Sequence, residues 1–180
     1  MKAILMSIQP KWCELIASGK KTLEVRKTKP KLETPFKVYI YETQGRTETP
    51  FIDEEGHYIF KGRGQVIGEF VCDKIVQFEN SLYDEALQET VARSYVPMYD
   101  LLVYIGKQDY GYGWHISDLV IYDKPRELSE FTRVCDGNCQ SCQYAIWQTN
   151  GWAYEPYIVD CKPITRPPQS WCYVEEDGKV

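Results

Sequence analysis

The sequence has no apolar run long enough to cross a bilayer, which excludes a helical membrane span. Such a span needs about 18 or more consecutive apolar residues. The N-terminal run at residues 3–8 (AILMSI) is interrupted at once by Gln9, Pro10 and Lys11. The same interruption argues against a secretory signal peptide. We therefore expect a cytoplasmic protein that makes no contact with a membrane.

Histidine is also scarce, with His57 and His115 as the two examples in 180 residues. No Ser–His–Asp or Cys–His motif can be recognised around them, so the sequence does not indicate a hydrolytic triad. The stretch GRGQVIG at 62–68 precedes an expected strand rather than a helix. It therefore lacks the context of a dinucleotide or phosphate-binding loop.

The net charge of −5 argues against a general nucleic-acid coat, but the charge is unevenly distributed. Residues 11–37 contain eight Lys or Arg against three Glu, an excess of five positive charges, so the rest of the chain has a net charge of −10. A local basic patch on an acidic body can still attract phosphate. The alternative is a solvated, lysine-rich hairpin.

The distribution of apolar and turn residues predicts an α+β fold. Aromatic residues make up 14% of the chain, which favours strands. We predict a small mixed β-barrel of about six strands with short helices between them. The predicted strands are 3–8, 21–27, 36–42, 65–78, 114–122 and 170–174. The predicted helices are 10–18, 82–94 and 97–105, with a hairpin or insertion at 43–64, a bulge at Gly68 and a loop at 111–113.

The pattern G-x-K-x-x-E-x-R stands at Gly19, Lys21, Glu24 and Arg26. Glu24 and Arg26 are two apart on a predicted strand and so share a face. Arginine can grip a phosphate or a base edge with two hydrogen bonds. Lysine supplies a point charge, or a nucleophile or base, and glutamate can act as acid or base. The alternative is a surface ion pair of little energetic value.

This motif, with IGEF at 67–70 and PPQSWCYVEE at 167–176, resembles the ASCH family, a branch of the PUA-like fold. The resemblance is to the bacterial type and covers roughly residues 1–131 and 163–176. It implies one ASCH/PUA-like domain at 1–176, with a cysteine-rich insertion at 132–162 and a tail at 177–180. It also implies binding of RNA or a nucleotide at the mouth of the barrel.

The resemblance leads to two hypotheses for the function of the motif. The leading one is an RNA- or nucleotide-binding module. The other is a hydrolase acting on RNA or on a modified nucleoside of the N4-acetylcytidine type, in which Lys21 matches the catalytic lysine and Glu24 replaces a threonine. Its further acid would be Asp84, Glu85 or Glu89. The residues predicted to contact the ligand are Ser7, Gln9, Lys20, Lys21, Glu24, Arg26, Tyr112 and Trp114.

Four of the seven cysteines fall in the pattern C-x3-C-x2-C-x18-C. Thiolates at such spacing can hold a tetrahedral zinc ion, so we predict a structural zinc site. Its ligands would be Cys135, Cys139, Cys142 and Cys161. The spacing also matches iron–sulfur ligands of radical enzymes, but the expected barrel lacks the scaffold for that chemistry. A third hypothesis for the protein is therefore a zinc-knuckle interaction module. Cys13, Cys72 and Cys172 fit ordinary buried thiols.

Overall fold

The computed structural model describes residues 1–45, 51–52, 56, 58–59, 61–134 and 163–176. Within these ranges the helices are α1 (Pro10–Ala17), α2 (Glu85–Ser94) and α3 (Met98–Ile105), with a short 3-10 helix at Leu128–Glu130. The strands are β1 (Lys2–Ile8), β2 (Leu23–Arg26), β3 (Phe36–Glu42), β4 (Phe51–Ile52), β5 (Tyr58–Ile59), β6 (Val66–Cys72), β7 (Ile75–Glu79), β8 (Tyr110–His115), β9 (Ser117–Arg126) and β10 (Trp171–Glu175).

Eight of the described strands form two sheets. The larger sheet has the order β10-β1-β3-β6-β9, in which β1 and β3 are parallel and the other pairs are antiparallel. The smaller sheet has the order β2-β8-β7 and is antiparallel. Strands β4 and β5 pair separately in antiparallel fashion, which agrees with the hairpin, one of the two alternatives predicted for residues 43–64.

The predicted mixed α+β class is confirmed, but the closed six-stranded barrel is not found in the described part of the chain. One reason is that the predicted strand 65–78 is interrupted at Asp73 and Lys74. Strand β6 stays in the five-stranded sheet, while β7 turns away and pairs with β8 in the other sheet. A second break, at Ile116, likewise separates β8 from β9.

The predicted loop at residues 111–113 is wrong, because GYG lies inside β8. These glycines are required by close packing and not by a turn. A Cβ built on Gly111 would lie 2.3 Å from Cζ of Phe78, and one on Gly113 would lie 3.3 Å from Oγ1 of Thr90. The predicted bulge at Gly68 is confirmed where β6 pairs with β3, because Ile40 is opposite Gly68 and Tyr41 is opposite Val66, which leaves Ile67 as the extra residue.

The core lies on both faces of β1, because α1 packs on one face of the five-stranded sheet and the 3-10 helix packs on the other. Ile4, Met6 and Ile8 pack on the side of α1, whereas Ala3 and Leu5 pack on the side of the 3-10 helix. Helices α2 and α3 form another cluster against the three-stranded sheet, which fixes α3 beside β2. None of the helices in the described ranges is long and apolar enough to cross a membrane.

Helix boundaries follow local signals closely. Helix α1 begins at Pro10, whose missing N–H suits the first turn. Helix α2 begins at Glu85, later than predicted, because Oδ1 of Asp84 accepts a hydrogen bond from the Leu87 N–H at 2.6 Å and caps the helix. Helix α3 ends before Gly106, as predicted.

Candidate functional site

A cavity of about 540 Å³ opens where the end of β1, the start of α1, strand β2 and helix α3 come together. Its volume is in the range of small-molecule sites, about 300–1,000 Å³. The lining contains polar, charged and aromatic side chains from both sheets and from α3. The lining residues are Ser7, Ile8, Gln9, Trp12, Lys21, Glu24, Val25, Arg26, Thr43, Val96, Asp100, Tyr104, Gln169 and Ser170.

Gly19 directs the motif into this cavity. Its φ of +75° is in the left-handed region that glycine adopts at low cost, and its N–H bonds to the Ile16 carbonyl as α1 ends. The chain then reverses, and the Lys21 N–H donates to the Leu15 carbonyl at 2.8 Å. Lys21 thus precedes β2, and Glu24 and Arg26 follow on one face of that strand.

Lys21, Glu24 and Arg26 form a buried ionic network at the cavity wall, which we call the charged triad. Nζ of Lys21 lies 3.3 Å from Oε2 of Glu24, and Nη2 of Arg26 lies 2.9 Å from Oε1. The three residues are 2%, 6% and 7% exposed. The polar face expected for β2 is therefore buried, and a solvated surface ion pair does not describe it.

Two backbone carbonyls also accept hydrogen bonds from the cations of the triad. Nζ of Lys21 donates to the Ser94 carbonyl at 2.8 Å, and Nη2 of Arg26 donates to the Ser7 carbonyl at 2.8 Å. Among the described residues, Nε of Arg26 lacks a hydrogen-bond partner, and Oε2 of Glu24 has only its 3.3 Å ion pair with Lys21, which is not a well-aligned hydrogen bond. Buried polar atoms without partners are costly. A polar group that enters the cavity and shifts these side chains could supply the missing partners.

Burial lowers the pKa of Lys21, and the neighbouring Arg26 lowers it further, while the charge and hydrogen bond of Glu24 oppose the change without cancelling it. Burial also raises the pKa of Tyr104, against the opposing charge of Arg26. The cavity thus contains a lysine that releases its proton more readily than a surface lysine.

Five of the eight residues predicted to contact the ligand line the cavity: Ser7, Gln9, Lys21, Glu24 and Arg26. Ser7 uses its hydroxyl to donate to the Pro168 carbonyl at 2.7 Å, which ties the end of β1 to the approach to β10. Gln9 is exposed, and its side chain makes no cap bond to α1. Its amide is thus available to a ligand.

The other three predicted residues are outside the lining. Lys20 is exposed beside the motif. Trp114 is 0% exposed and packs edge-on against Phe36 in the core. Tyr112 is half-buried in β8, directly opposite Arg26 on β2.

Several lining residues are not indicated by the sequence. The sequence pattern places Trp12 only on a helix face, but its ring lies 5.2 Å from Nζ of Lys21. Asp100 and Tyr104 reach the cavity from α3, and Gln169 reaches it from the segment before β10. Packing across the fold brings these residues together, so no local pattern indicates them.

The three carboxylates considered as the further acid of a hydrolase are not part of the lining. Asp84 caps α2, and Glu89 pairs with Arg93 at 3.0 Å on the surface of the same helix. Glu85 is in the first turn of α2. Asp100 is the cavity carboxylate outside the motif among the described residues.

The four predicted zinc ligands, Cys135, Cys139, Cys142 and Cys161, lie outside the described residues. Within the described residues, no cluster of His, Cys, Asp or Glu is arranged to hold a metal ion. Cys13, Cys72 and Cys172 are free thiols there. Burial raises the pKa of Cys13, and raises that of Cys72 to about 12, so both are protonated near neutral pH.

The fold and the cavity define a small mixed α+β domain with a charged, partly aromatic cavity lined from both of its sheets. Comparison with known families identifies that domain, since residues 6–168 match the ASCH domain. The chain therefore belongs to the ASCH domain family, whose members are PUA-like and generally bind RNA.

Solved structures show the same fold. The chain is similar to the ASCH protein of Zymomonas mobilis, with TM-score 0.57 and 17% identity over 97% of this chain and 88% of that one. Two variants of that protein, one serine-to-alanine and one tyrosine-to-phenylalanine, each give TM-score 0.59, at 15% and 16% identity. They cover 97% and 98% of this chain, and 89% and 92% of theirs. Among curated proteins, none matches the chain.

Proposed function

We propose that this protein is an RNA- or nucleotide-binding ASCH domain that takes one unstacked nucleotide into the cavity beside the charged triad. The observation that carries the proposal is the burial of Lys21, Glu24 and Arg26 together at the wall of a 540 Å³ cavity. Burying three charges costs free energy that an apolar cluster would not. A binding role for the triad accounts for that cost.

The charge balance of the cavity favours a base over an isolated phosphate. Two cations, Lys21 and Arg26, share the lining with two carboxylates, Glu24 and Asp100. The wall therefore offers hydrogen-bond donors and acceptors in similar measure. The Gln9 side chain adds an NH₂ donor group and a carbonyl oxygen acceptor. The Watson–Crick edge of a base presents the same mixture.

Two aromatic side chains supply surfaces for the base. Trp12 and Tyr104 line the cavity from α1 and α3. Sequence-specific RNA recognition commonly places a splayed base against such rings. Each stacked base contributes about 1–3 kcal/mol.

The test is binding of a panel of labelled single-stranded and hairpin RNAs at two salt concentrations. We expect Arg26→Lys to weaken binding about tenfold or more, because it keeps the charge but loses the planar fork. Gln9→Ala, which breaks no described hydrogen bond, should weaken binding by a smaller factor. The matched controls are Arg93→Lys and Gln88→Ala, both outside the cavity lining.

Wild-type affinity in both cavity variants would contradict the proposal, and so would a folded wild type that binds no RNA. Thermal melting of each variant shows that it is folded. The salt dependence separates phosphate contacts from contacts to the base, since only the former release counterions.

A second candidate function is hydrolysis of a modified nucleoside of the N4-acetylcytidine type. The observation in its favour is the buried Lys21, with its lowered pKa, 3.3 Å from the Glu24 carboxylate. A neutral Lys21 amine would take a proton from water as the water attacks the acyl carbon, and would return it to the departing amine. Glu24 would orient Lys21.

Chromatography of N4-acetylcytidine incubated with the protein tests this function. Release of cytidine and acetate that Lys21→Met abolishes, and Lys37→Met leaves unchanged, would support the hydrolase. Binding of the nucleoside without any turnover would leave the binding module as the function of the site.

A further inference from the structure

The loop that follows β2 carries three lysines in five residues, Lys27, Lys29 and Lys31, with no acidic residue between them. All three side chains are exposed. Such lysines are ordinarily mobile and interact weakly with their surroundings. Here the backbone beneath them is anchored and two of the ammonium groups lie over aromatic rings.

The anchors join the loop to β10. Nε1 of Trp171 donates to Oγ1 of Thr28 at 3.2 Å, and the Lys31 N–H donates to the hydroxyl of Tyr173 at 2.8 Å. Pro30 between them is buried. The lysines are therefore presented from a fixed backbone, which reduces the entropy lost when they bind a ligand.

The ammonium groups of two of the lysines also lie near aromatic residues at or next to the cavity lining. Nζ of Lys27, the residue after Arg26, lies 5.1 Å from the ring centroid of Tyr104, which lines the cavity. Nζ of Lys29 lies 5.5 Å from the ring centroid of Tyr112, which is directly opposite Arg26 across β2 and β8. Cation–π contacts of this length favour such a position of an ammonium group while leaving it open to solvent.

We infer that Lys27 and Lys29, placed over Tyr104 and Tyr112, form a lysine strip that binds the backbone phosphates of single-stranded RNA next to the nucleotide in the cavity. This inference rests on the proposed function. The cavity has a balanced wall and suits a base, whereas the strip is purely cationic and suits phosphate. Together they divide recognition into a base site and a backbone site.

The experiment compares two ligands that differ in phosphate: the four ribonucleosides, and single-stranded RNA of about 12 nucleotides, which is within the range of single-strand site sizes. We expect Lys27→Ala/Lys29→Ala to weaken RNA binding about tenfold at about 0.1 M salt and to reduce the salt slope by about 1.4, as expected for two lost contacts. Nucleoside affinity should change less than about twofold, because a nucleoside has no phosphate.

Two control variants accompany it. Lys2→Ala/Lys124→Ala removes the same charge from exposed positions at the far end of β1 and on β9, and it should leave RNA binding within about twofold of wild type. Lys27→Arg/Lys29→Arg keeps the charges and should retain binding. Equal melting temperatures establish that each variant is folded.

RNA affinity unchanged in Lys27→Ala/Lys29→Ala would overturn the strip and leave the cavity site standing. An equal loss of nucleoside and RNA binding would also overturn it, since the lysines would then act on the cavity itself. Polyglutamate that competes as well as RNA would reduce the strip to a general anion surface and overturn it too. A wild type that binds neither nucleosides nor RNA would overturn the proposed function, and the strip with it.

Discussion

Two lysine–glutamate pairs in this fold have similar geometry and different surroundings. In the charged triad, Lys21 lies 3.3 Å from Glu24. The second pair, which we call the outer pair, is on the face of the larger sheet that bears the 3-10 helix. Here Lys37 lies 3.0 Å from Glu69, and the Lys37 side chain is 22% exposed. Glu69 also accepts a hydrogen bond from the hydroxyl of Tyr122.

The pKa of the lysine moves in opposite directions in the two pairs. Burial lowers the pKa of Lys37 in part, but Glu69, Tyr39 and Glu176 outweigh that effect and raise it. Lys21 is more deeply buried and shares its glutamate with Arg26, so its pKa is lowered. The outer pair resembles an ordinary partly exposed ion pair, whereas the triad places two buried cations against one carboxylate beside a cavity. Perturbed pKa values tend to cluster at binding and catalytic sites.

The largest difference should appear when each glutamate is neutralised. Glu24→Gln leaves two buried cations without a counter-charge, and we expect a loss of about 3–5 kcal/mol in the free energy of unfolding. Glu69→Gln removes a partly exposed partner and should cost about 1 kcal/mol. Urea denaturation of both variants and wild type measures this. Equal losses in the free energy of unfolding would mean that removing the counter-charge costs no more in the buried triad than in the partly exposed outer pair.

A smaller difference should appear in the pH dependence of stability. Between its lowered folded pKa and 10.5, Lys21 is protonated in the unfolded chain and not in the folded one, so it makes the free energy of unfolding rise with pH. The pKa of Lys37 is raised above 10.5, so its stabilising contribution is present below 10.5 and is lost as pH rises through the folded value.

Urea denaturation between about pH 8 and 11 separates the two contributions. Relative to wild type, Lys21→Met should remove the rising contribution and Lys37→Met the falling one. If the difference between Lys21→Met and wild type were independent of pH, Lys21 would have an ordinary pKa, and the argument for a tuned lysine in the cavity would fail.

Loss of the predicted zinc ion should have a smaller effect on the cavity than either of the changes above. We expect about one zinc per chain, held by four thiolates. Cys139→Ser/Cys142→Ser should abolish it, as measured by elemental analysis of purified protein. Cys172→Ser is the control, because burial raises the pKa of this thiol and keeps it protonated. Zinc absent from wild type purified without chelators would refute the prediction.

Local sequence predicts the part of the site that local geometry controls. Gly19 sets the turn, and the spacing from Lys21 to Arg26 sets which side chains share a face, so the members of the triad can be assigned from the motif alone. The contributions of Asp100 and Tyr104 depend on how α3 packs against β2, which no short-range pattern encodes. For the same reason, the alternation in β2 does not reveal that its polar face is buried.

In the fold, too, some features follow from local sequence and others depend on packing between distant segments. Strand β1 and the ends of α1 and α3 follow from apolar runs, Pro10 and Gly106. The interruption of the 65–78 strand does not, because both halves are good strand formers and their separation depends on which sheet each joins. The glycines in GYG indicate a loop, although they are there to admit Phe78 and Thr90. The zinc site and the cytoplasmic location stay predictions.

The central claim is that a nucleotide enters the cavity beside Arg26, and the arginine side-chain NMR spectrum tests it most directly. The Nε–H resonance of Arg26 is assigned by its loss in Arg26→Lys, and that of Arg126, on β9, serves as the reference. On titration with RNA, the account predicts a saturable shift at Arg26 while Arg126 stays unmoved. Saturable RNA binding that leaves the Arg26 resonance in place would contradict it.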